Sequence, residues 1–230
     1  MDNRPSYRDK YSIIIPAAGI GRRMRIHGPK SLIPIQGGKT ILSNQLENIK
    51  ECFRHYEIVL IGGYQIDKLT RDIPKNTKII YNKNYEKTNV LDSIRLGLEE
   101  ITTDKVIILY GDLIFNKNCL NLPFYNSSAI VICNTMQKEE VGCIIENNTI
   151  ENMFYQLPNK WAQISYFTGF ELYKLKNLCN HDNYRMWFGF EAINTIISMG
   201  GKFEALKPED GRAIDIDSSY DLKYYNENFN

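Results

Sequence analysis

Short apolar runs and amphipathic stretches alternate along the first half of the chain. Tyr11–Ile15 is a β-branched run closed by Pro16, and Glu57–Ile61 and Lys105–Tyr110 are similar runs followed by glycine. Runs of this length without polar alternation predict buried β-strands. Between them, Thr40–Phe53 and Thr88–Ile101 carry apolar residues at helical spacing, which predicts amphipathic helices packed against those strands.

The second half of the chain has shorter strand signals, joined by turn residues such as Asn147-Asn148. Strands that alternate with helices are typical of a parallel sheet covered on both faces. We therefore expect one α/β domain over residues 1–230, with three α/β/α layers, a mostly parallel central sheet and a smaller β-rich subregion, and with its two halves at residues 11–115 and 116–230. The other predicted elements are short helix Gln65–Arg71, strands Lys78–Tyr81, Ser128–Asn134, Gly142–Glu146, Thr149–Phe154 and Tyr166–Leu172, and helices Tyr184–Met199 and Ser218–Asn226.

Composition narrows the class of protein. A hydrophobic share of 43% and a charged share of 24% are those of a globular domain. The formal net charge of +1 gives no electrostatic reason to expect a nucleic acid or an anionic membrane as partner. The longest apolar run, around Ile13–Ala18, is too short to span a bilayer, and polar Met1–Lys10 lacks the apolar core of a signal peptide.

The five cysteines, which form no CxxC pair, are widely scattered. Neither a disulfide framework nor a zinc site is expected from such spacing, and a cytoplasmic setting fits it. These residues are Cys52, Cys119, Cys133, Cys143 and Cys179.

The most informative motif is the loop after the first predicted strand, PAAGIGRRMRIHGPKSL at residues 16–32. Its glycines allow close backbone approach to a ligand, and successive N–H groups there can cradle phosphate oxygens. A dinucleotide fingerprint is excluded because Met24 stands where its third glycine is needed. A P-loop is excluded because Pro29, not glycine, precedes Lys30-Ser31.

The remaining pattern, Gly-x-Gly-x-Arg-Met-x-x-x-x-Pro-Lys, resembles the signature loop of the GT-A-type NTP transferases. These include sugar-1-phosphate nucleotidyltransferases, the molybdenum-cofactor nucleotidyltransferase and the phosphocholine cytidylyltransferases. The resemblance implies that Arg23 and Lys30 act catalytically on the triphosphate, whereas Arg22 stands where the family usually has Thr or Ser. A solvated basic loop is the structural alternative. The loop residues implied to bind nucleotide are Ala17, Ala18, Gly19, Gly21, Arg22, Arg23 and Lys30.

Acidic residues follow two predicted strands at positions where this family binds metal. Asp112 follows the strand at Lys105–Tyr110, and Asp215-Ile-Asp217 begins a segment similar to the family's closing (Asp/Glu)-Ile-Asp-x-x-x-Asp-Leu. The resemblance implies that Asp112, Asp215 and Asp217 hold Mg²⁺, a cation that takes carboxylate ligands. A turn aspartate and a helix N-cap are the alternatives for the two clusters.

Other residues resemble the phosphocholine cytidylyltransferase branch. Gly63-Tyr64 follows the second strand. Thr88-Asn89 and Ser93 lie in a second similar stretch that begins at Tyr81, in which Val90 replaces an expected Asn. The resemblance implies that Gly63, Tyr64, Thr88, Asn89 and Ser93 bind the nucleotide, with cytosine as its base. Thr88 is equally a candidate helix N-cap.

A nucleotidyltransferase has a second substrate, the acceptor that receives the nucleotidyl group. The aromatic residues in the second half of the chain are the candidates to bind it. Most of them belong to a hydrophobic core, but polar neighbours at Trp161 and Trp187 favour partial exposure, and Glu191 is placed to pair with an ammonium group. These three are the predicted acceptor-binding residues. Phosphocholine, phosphoethanolamine, an aminoalkyl phosphonate, an amide-borne phosphate, a glycerol phosphate and a sugar-1-phosphate all remain open.

The predicted function is transfer of CMP from CTP to a small phosphorylated or phosphonate acceptor, phosphocholine-like rather than a sugar, with Mg²⁺ and with release of pyrophosphate. Three alternatives stay open: a sugar-1-phosphate nucleotidyltransferase using UTP or dTTP, a GT-A glycosyltransferase, and a non-catalytic nucleotide-binding regulator on the same fold. The expected partners are the NTP and the acceptor, without nucleic acid or membrane. The oligomeric state is open, with a homodimer among the arrangements.

Overall fold

The computed structural model of the chain describes residues 9–21, 28–70, 73–74, 77–133 and 140–229. Strands and helices alternate through the first half, as the apolar pattern predicts. The elements there are β1 (Lys10–Ala17), α1 (Ile41–Cys52), β2 (His55–Gly62), α2 (Ile66–Leu69), β3 (Thr77–Tyr81), α3 (Val90–Leu98), β4 (Val106–Leu109) and β5 (Leu113–Phe115). Thr40 caps α1 by accepting a hydrogen bond from the Ser43 N–H, which fixes the start of this helix.

The second half adds a β-rich region followed by helices. Its elements are β6 (Ala129–Cys133), β7 (Val141–Glu146), β8 (Thr149–Tyr155), β9 (Lys160–Phe167), α4 (Gly169–Cys179), α5 (Gly189–Ser198), β10 (Glu204–Leu206), β11 (Ala213–Asp215) and α6 (Ser219–Asn228). The turn predicted at Asn147-Asn148 joins β7 to β8, and both residues have the positive φ of a type I′ hairpin turn.

Two predicted boundaries are wrong. The strand predicted at Tyr166–Leu172 ends at Phe167, and a helix that was not predicted, α4, begins at Gly169. The helix predicted at Tyr184–Met199 begins only at Gly189, because the chain before it forms a short 3-10 turn. An apolar pattern alone does not distinguish a short buried strand from the first turn of a buried helix.

Within the described residues, nine strands form one sheet in the order β3-β2-β1-β4-β9-β6-β10-β8-β7. The four strands β3, β2, β1 and β4 are all parallel, so their carboxyl ends meet at one edge. The strand β9 is antiparallel to both of its neighbours, β4 and β6. The predicted α/β class and β-rich subregion are therefore confirmed, with a sheet that is parallel in its first half and mixed in its second.

Both faces of the sheet are covered, which gives the predicted three layers. Alternate residues of β1 belong to two different apolar clusters. Ile13 packs with Leu42 of α1 on one face, and Ile14 packs with Leu91 of α3 on the other. Within the described residues, no helix has both the length and the apolar character needed to cross a membrane.

Candidate functional site

The carboxyl edge of the parallel strands gathers the predicted site residues. Ala18 follows β1, Gly63 follows β2, Asn82 follows β3 and Asp112 follows β4. In open α/β sheets, ligands bind in the crevice outside the carboxyl ends of the strands. This edge holds a cavity, which we call the first cavity.

The first cavity has a volume of about 270 Å³. Most of the predicted nucleotide-binding residues within the described part of the chain line it. They are Ala17, Ala18, Gly19, Gly21, Lys30, Thr88, Asn89 and Ser93. Pro16, Ser31, Asn82, Tyr85, Val90, Tyr110, Gly111, Asp112 and Phe188 complete the lining. Arg22 and Arg23 lie outside the described residues, so their roles stay predictions.

At two glycines near this cavity, the absence of a side chain allows other groups to approach the backbone closely. Gly21 has a φ of +59°, and a Cβ there would stand 2.7 Å from Cγ of Lys30, so the lysine stem packs against bare backbone. A Cβ on Gly63 would stand 2.6 Å from the carbonyl oxygen of Ala18, which also accepts a 3.1 Å hydrogen bond from the Tyr64 N–H. Gly63 and Tyr64 therefore support the loop after β1 from behind, and neither lines the cavity.

The N-cap of α3 is not the residue considered as the alternative in the sequence. Asn89 is the N-cap of this helix, and its side chain accepts a hydrogen bond of 2.8 Å from the Val90 N–H. The hydroxyl of Thr88 donates to the Asn84 carbonyl oxygen one turn earlier. The N-cap alternative for Thr88 is therefore wrong, and both side chains remain at the cavity wall.

Lys30 stands at the centre of the charged part of the site. Its ammonium group is 2.9 Å from a carboxylate oxygen of Asp112 and also donates to the carboxylate of Asp217. Burial lowers the pKa of Lys30, but the attraction of Asp112 and Asp217 outweighs it and raises the pKa above its ordinary value. Lys30 is therefore a permanent cation held on two carboxylates.

The C-terminal acids reach this point through a short strand. The strand β11 pairs with β5, and the Ile216 N–H donates to the carbonyl oxygen of Asp112 at 3.0 Å. The carboxylate of Asp221 accepts hydrogen bonds from the backbone N–H groups of Asp217 and Ser218, which fixes the turn that presents Asp217. Asp221 thus supports the start of α6, and Asp217 faces Lys30.

Asp215 has a different surrounding from Asp217. Its carboxylate is 3.8 Å from the ammonium of Lys160, a side chain that is only 2% exposed and also pairs with Glu140. Burial, together with the nearby carboxylates of Asp112, Glu140 and Asp217, raises the pKa of Asp215 to about 6 against the opposing effect of Lys160. Asp215 thus joins a buried charge cluster beside the Lys30 pair.

The carboxylates of Asp112 and Asp217 fit a magnesium ion only in combination with a substrate that supplies further ligands. No three His, Cys, Asp or Glu side chains among the described residues are gathered closely enough to hold a metal ion. Two carboxylates, of Asp112 and Asp217, do converge on one ammonium group. Mg²⁺ usually binds through one or two carboxylates, several waters and the phosphates of a substrate, so the pair matches its needs.

A second cavity of about 210 Å³ adjoins the first at Asp112, which lines both. Tyr110 and Phe188 are also shared between the two linings. The other residues of the second cavity are Glu140, Val141, Tyr155, Lys160, Trp161, Gln163, Gly189, Phe190, Asp215 and Asp217. It is therefore a compartment with aromatic and charged walls that opens onto the carboxylates.

Of the three residues predicted to bind the acceptor, one lines the second cavity and two line neither cavity. Trp161 lines the second cavity, but the partial exposure predicted for it is wrong: it is 5% exposed, because its polar neighbour Lys160 is itself buried. Trp187 lines neither cavity; its ring packs on Tyr184 with centroids 4.2 Å apart. Glu191 also lines neither, and its carboxylate caps α5 by accepting from the Phe188 N–H.

Gln163 also lines the second cavity, a position that the sequence does not predict. It lies within β9 with a φ of +55°, opposite a register shift between Ile130 and Ile132 of β6. A bulge of this kind re-aims a side chain, and a left-handed residue other than glycine is costly. The sequence carries no signal for this conformation, and the Gln163 side chain lines the second cavity.

The comparisons with known proteins agree on the family. The MobA-like NTP transferase domain matches residues 13–129. Over 102 residues the chain is 28% identical to 2-C-methyl-D-erythritol 4-phosphate cytidylyltransferase of Pseudoalteromonas atlantica, covering 44% of this chain and 42% of that protein. Over 220 residues it is 27% identical to bifunctional protein GlmU of Aliarcobacter butzleri, covering 86% of this chain and 48% of that protein. The chain spans less than half the length of these relatives.

Solved structures share the fold over nearly the whole chain. CTP:phosphocholine cytidylyltransferase from Streptococcus pneumoniae (LicC) has a TM-score of 0.81 at 19% identity, covering 96% of this chain and 100% of that one. UDP-glucose pyrophosphorylase complexed with UDP-glucose has a TM-score of 0.76 at 14% identity, covering 96% and 98%. At these identities the likeness shows the fold alone, and it confirms the predicted GT-A-like class.

Proposed function

The chain belongs to the MobA-like NTP transferase domain family, and we propose that within it the protein transfers CMP from CTP to a small phosphorylated or phosphonate acceptor. Pyrophosphate is the second product. The acceptor we favour is phosphocholine-like rather than a sugar. Mg²⁺ is the proposed cofactor.

One observation carries this proposal: two cavities meet at Asp112, beside the ammonium group of Lys30. Direct transfer of a nucleotidyl group from one substrate to another needs adjacent binding sites that hold the reacting atoms in line. The first cavity takes the nucleotide, since the glycine loop that lines it suits phosphate oxygens. The second cavity takes the acceptor.

The reaction needs no covalent enzyme intermediate. An oxygen of the acceptor phosphate forms a new bond to the α-phosphorus of CTP. The bond from that phosphorus to the oxygen bridging to the β-phosphorus breaks, and its electron pair leaves with pyrophosphate. The acceptor oxygen is already anionic at neutral pH, so the protein contributes alignment and charge stabilisation rather than a general base.

Lys30 is the proposed principal catalytic cation. Its ammonium group remains protonated, because Asp112 and Asp217 hold its pKa high. When bound, Mg²⁺ supplies charge neutralisation at the phosphate oxygens. Asp112 and Asp217 are the side chains that would hold it, and Lys30 would then turn from these carboxylates to the transferred phosphoryl group. Arg23 is proposed to bind the β- and γ-phosphates.

The second cavity favours a compact acceptor with a cationic end. The rings of Tyr155 and Phe190 meet edge to face at 5.4 Å, and Phe188 stacks beside Phe190. Tyr155 is 40% exposed and Phe188 is 45% exposed, so these faces are open to a ligand. A cation over such a ring gains about 0.5–2 kcal/mol. The carboxylates that line this cavity outnumber its one lining ammonium group, that of Lys160, which pairs with Glu140, and this excess of negative charge attracts a positive group.

A sugar-1-phosphate nucleotidyltransferase using UTP or dTTP is the second candidate. It is supported by the fold likeness to UDP-glucose pyrophosphorylase and to a putative glucose-1-phosphate thymidylyltransferase from Bacillus anthracis, with TM-scores of 0.76 for both. The cytidylyl proposal is supported by the sequence relative that is a cytidylyltransferase. A non-catalytic regulator would bind nucleotide without turnover.

Two linked measurements test the proposal. Thermal shifts with CTP, UTP, dTTP, ATP and GTP in the presence of Mg²⁺ report which nucleotide binds the folded state. Pyrophosphate release is then measured with the preferred nucleotide across phosphocholine, phosphoethanolamine, an aminoalkyl phosphonate, glycerol phosphate and glucose-1-phosphate. Turnover of a non-sugar acceptor with CTP supports the proposal. Turnover of glucose-1-phosphate alone, with UTP or dTTP, would replace it with the second candidate.

A further inference from the structure

Asn82 stands at the end of the first cavity farthest from the carboxylates. It follows β3, whereas Asp112 follows β4, and the sheet order places β2 and β1 between these two strands. Three strand spacings of about 4.8 Å each put the two positions roughly 14 Å apart. A nucleoside triphosphate with its phosphates at Lys30 would bring its base to the Asn82 end. This assignment rests on the proposed function.

The side-chain amide of Asn82 is locked in one orientation. The residue is 1% exposed, and its oxygen accepts a hydrogen bond of 2.9 Å from the Asn84 N–H. A backbone N–H can only donate, so this contact identifies the oxygen. The amide nitrogen of Asn82 is therefore the atom that faces Ser93, to whose hydroxyl oxygen it donates at 3.1 Å.

This contact fixes the polarity of the Ser93 hydroxyl. An amide N–H can only donate, so the Ser93 oxygen must accept and its own proton must point elsewhere. Within the part of the chain that the structure describes, no acceptor for that proton is present, although Ser93 is only 5% exposed. Ser93 lines the first cavity. The Ser93 hydroxyl at the cavity wall is thus left as a hydrogen-bond donor, because Asn82 occupies its oxygen as an acceptor.

A fixed donor distinguishes the pyrimidine bases at one atom. The N3 atom of cytosine is a lone-pair acceptor, whereas N3 of uracil and thymine carries a hydrogen and can only donate. We propose that Asn82 is a positioning residue for base selection: it makes the Ser93 hydroxyl a donor to N3 of cytosine and thereby disfavours UTP and dTTP. A uracil in the same place would leave two donors facing each other, which is costly in a buried site.

The near-isosteric Asn82→Asp variant tests this inference. Its carboxylate can still accept from the Asn84 N–H, but it would accept the Ser93 proton instead of donating to Ser93. The Ser93 oxygen would then offer a lone pair to the cavity, which suits N3–H of uracil. We expect the ratio of Kd for UTP to Kd for CTP to fall on the order of tenfold or more. Ser93→Ala should reduce the ratio without favouring UTP.

The measurement is calorimetric titration of the whole chain with CTP and with UTP in Mg²⁺. Asn84→Asp is the matched control, because it adds the same charge to the same segment at an exposed side chain, and it should keep the wild-type ratio. Equal weakening of both nucleotides in Asn82→Asp, or an unchanged ratio, would overturn the inference and leave a structural role. Failure of the proposed function shows separately, as absence of acceptor-dependent pyrophosphate release in the wild type.

Discussion

Lys30 and Asp112 are 82 positions apart in the sequence, and their side chains form a 2.9 Å ion pair where the two cavities meet. The pair joins the loop after β1 to the turn after β4. Asp112 is placed by the end of β4, whereas Lys30 begins a short 3-10 turn over Lys30–Leu32 and packs its stem against Gly21. A cation that is held by carboxylates before substrate arrives is preorganised for transfer to a phosphate.

The first prediction concerns the two carboxylates at Lys30. Asp112→Asn and Asp217→Asn should each lower kcat by on the order of a hundredfold or more, because each removes a carboxylate proposed to hold the Mg²⁺ that neutralises charge at the phosphate oxygens. Circular dichroism should show an intact fold. Asp210→Asn is the control and should retain activity, because Asp210 is an exposed acid that precedes Asp217 in the sequence and lines neither cavity. Near-normal rates for both variants at saturating Mg²⁺ would remove the carboxylates from the mechanism.

The second prediction separates the two basic residues of the glycine loop. Lys30→Ala should lower kcat by about 10²–10³-fold with a smaller change in KM, since its charge is used chiefly in the transition state. Arg23→Ala should chiefly raise the KM for CTP. Steady-state kinetics distinguish the two patterns, and Lys39→Ala, which breaks an exposed pair with Glu47, is the control. Unchanged kinetics for Lys30→Ala would show that the loop does not hold phosphate.

The third prediction places the acceptor in the second cavity. Gln163→Gly removes a side chain from the cavity wall and suits the positive φ at that position, so little stability should be lost. The KM for the acceptor should rise about tenfold or more, while the KM for CTP stays nearly constant. Trp187→Ala, outside both cavities, is the comparison and should leave the acceptor KM unchanged at temperatures where it is folded. A raised acceptor KM in Trp187→Ala, with an unchanged acceptor KM in Gln163→Gly, would instead place the acceptor at Trp187.

The fourth prediction concerns Gln45, which supports the turn that carries Asp112. Its buried amide nitrogen donates to the carbonyl oxygens of Tyr110 at 2.8 Å and Leu113 at 2.7 Å, on either side of Asp112. Gln45→Leu leaves both carbonyls without this donor, which should lower the free energy of unfolding by about 2 kcal/mol or more and also lower kcat.

Asn48→Leu is the matched control for Gln45. Asn48 lies on the same helix and donates to the Phe115 carbonyl oxygen at 2.7 Å, farther from Asp112. Chemical denaturation should show destabilisation in both variants, whereas kcat should fall mainly in Gln45→Leu. Equal losses of kcat would assign Gln45 a purely structural role.

Much of the nucleotide side of the site was predictable from the sequence. The strand β1 contains the apolar run Ile13–Ile15 and β4 is apolar throughout. Parallel strands present their carboxyl ends at one edge, so a glycine loop after β1 and Asp112 after β4 had to be neighbours. The contact of Asp217 with Lys30 follows the same rule less directly, since it depends on pairing of β11 with β5. That pairing joins distant segments and has no local signal.

The acceptor side was harder to predict for physical reasons. Lys160 and Gln163 enter the second cavity because β9 runs antiparallel between β4 and β6, an order that the sequence of elements does not specify. A polar neighbour predicted exposure of Trp161, but that neighbour, Lys160, is buried against Glu140 and Asp215. Burial of a charged pair is decided by tertiary contacts, and periodicity carries no information about it.

The most direct test of the central claim follows the α-phosphate itself. CTP labelled at the α-phosphorus is mixed with the wild-type chain, Mg²⁺ and phosphocholine or another acceptor of the panel, and the products are separated. Transfer of CMP predicts one labelled cytidine diphosphate conjugate of the acceptor for each pyrophosphate released, with neither product formed without acceptor. It also predicts that Asp112→Asn loses both products together. Label recovered only as CTP across the whole acceptor panel, or as free CMP independent of acceptor, would contradict nucleotidyl transfer to these acceptors.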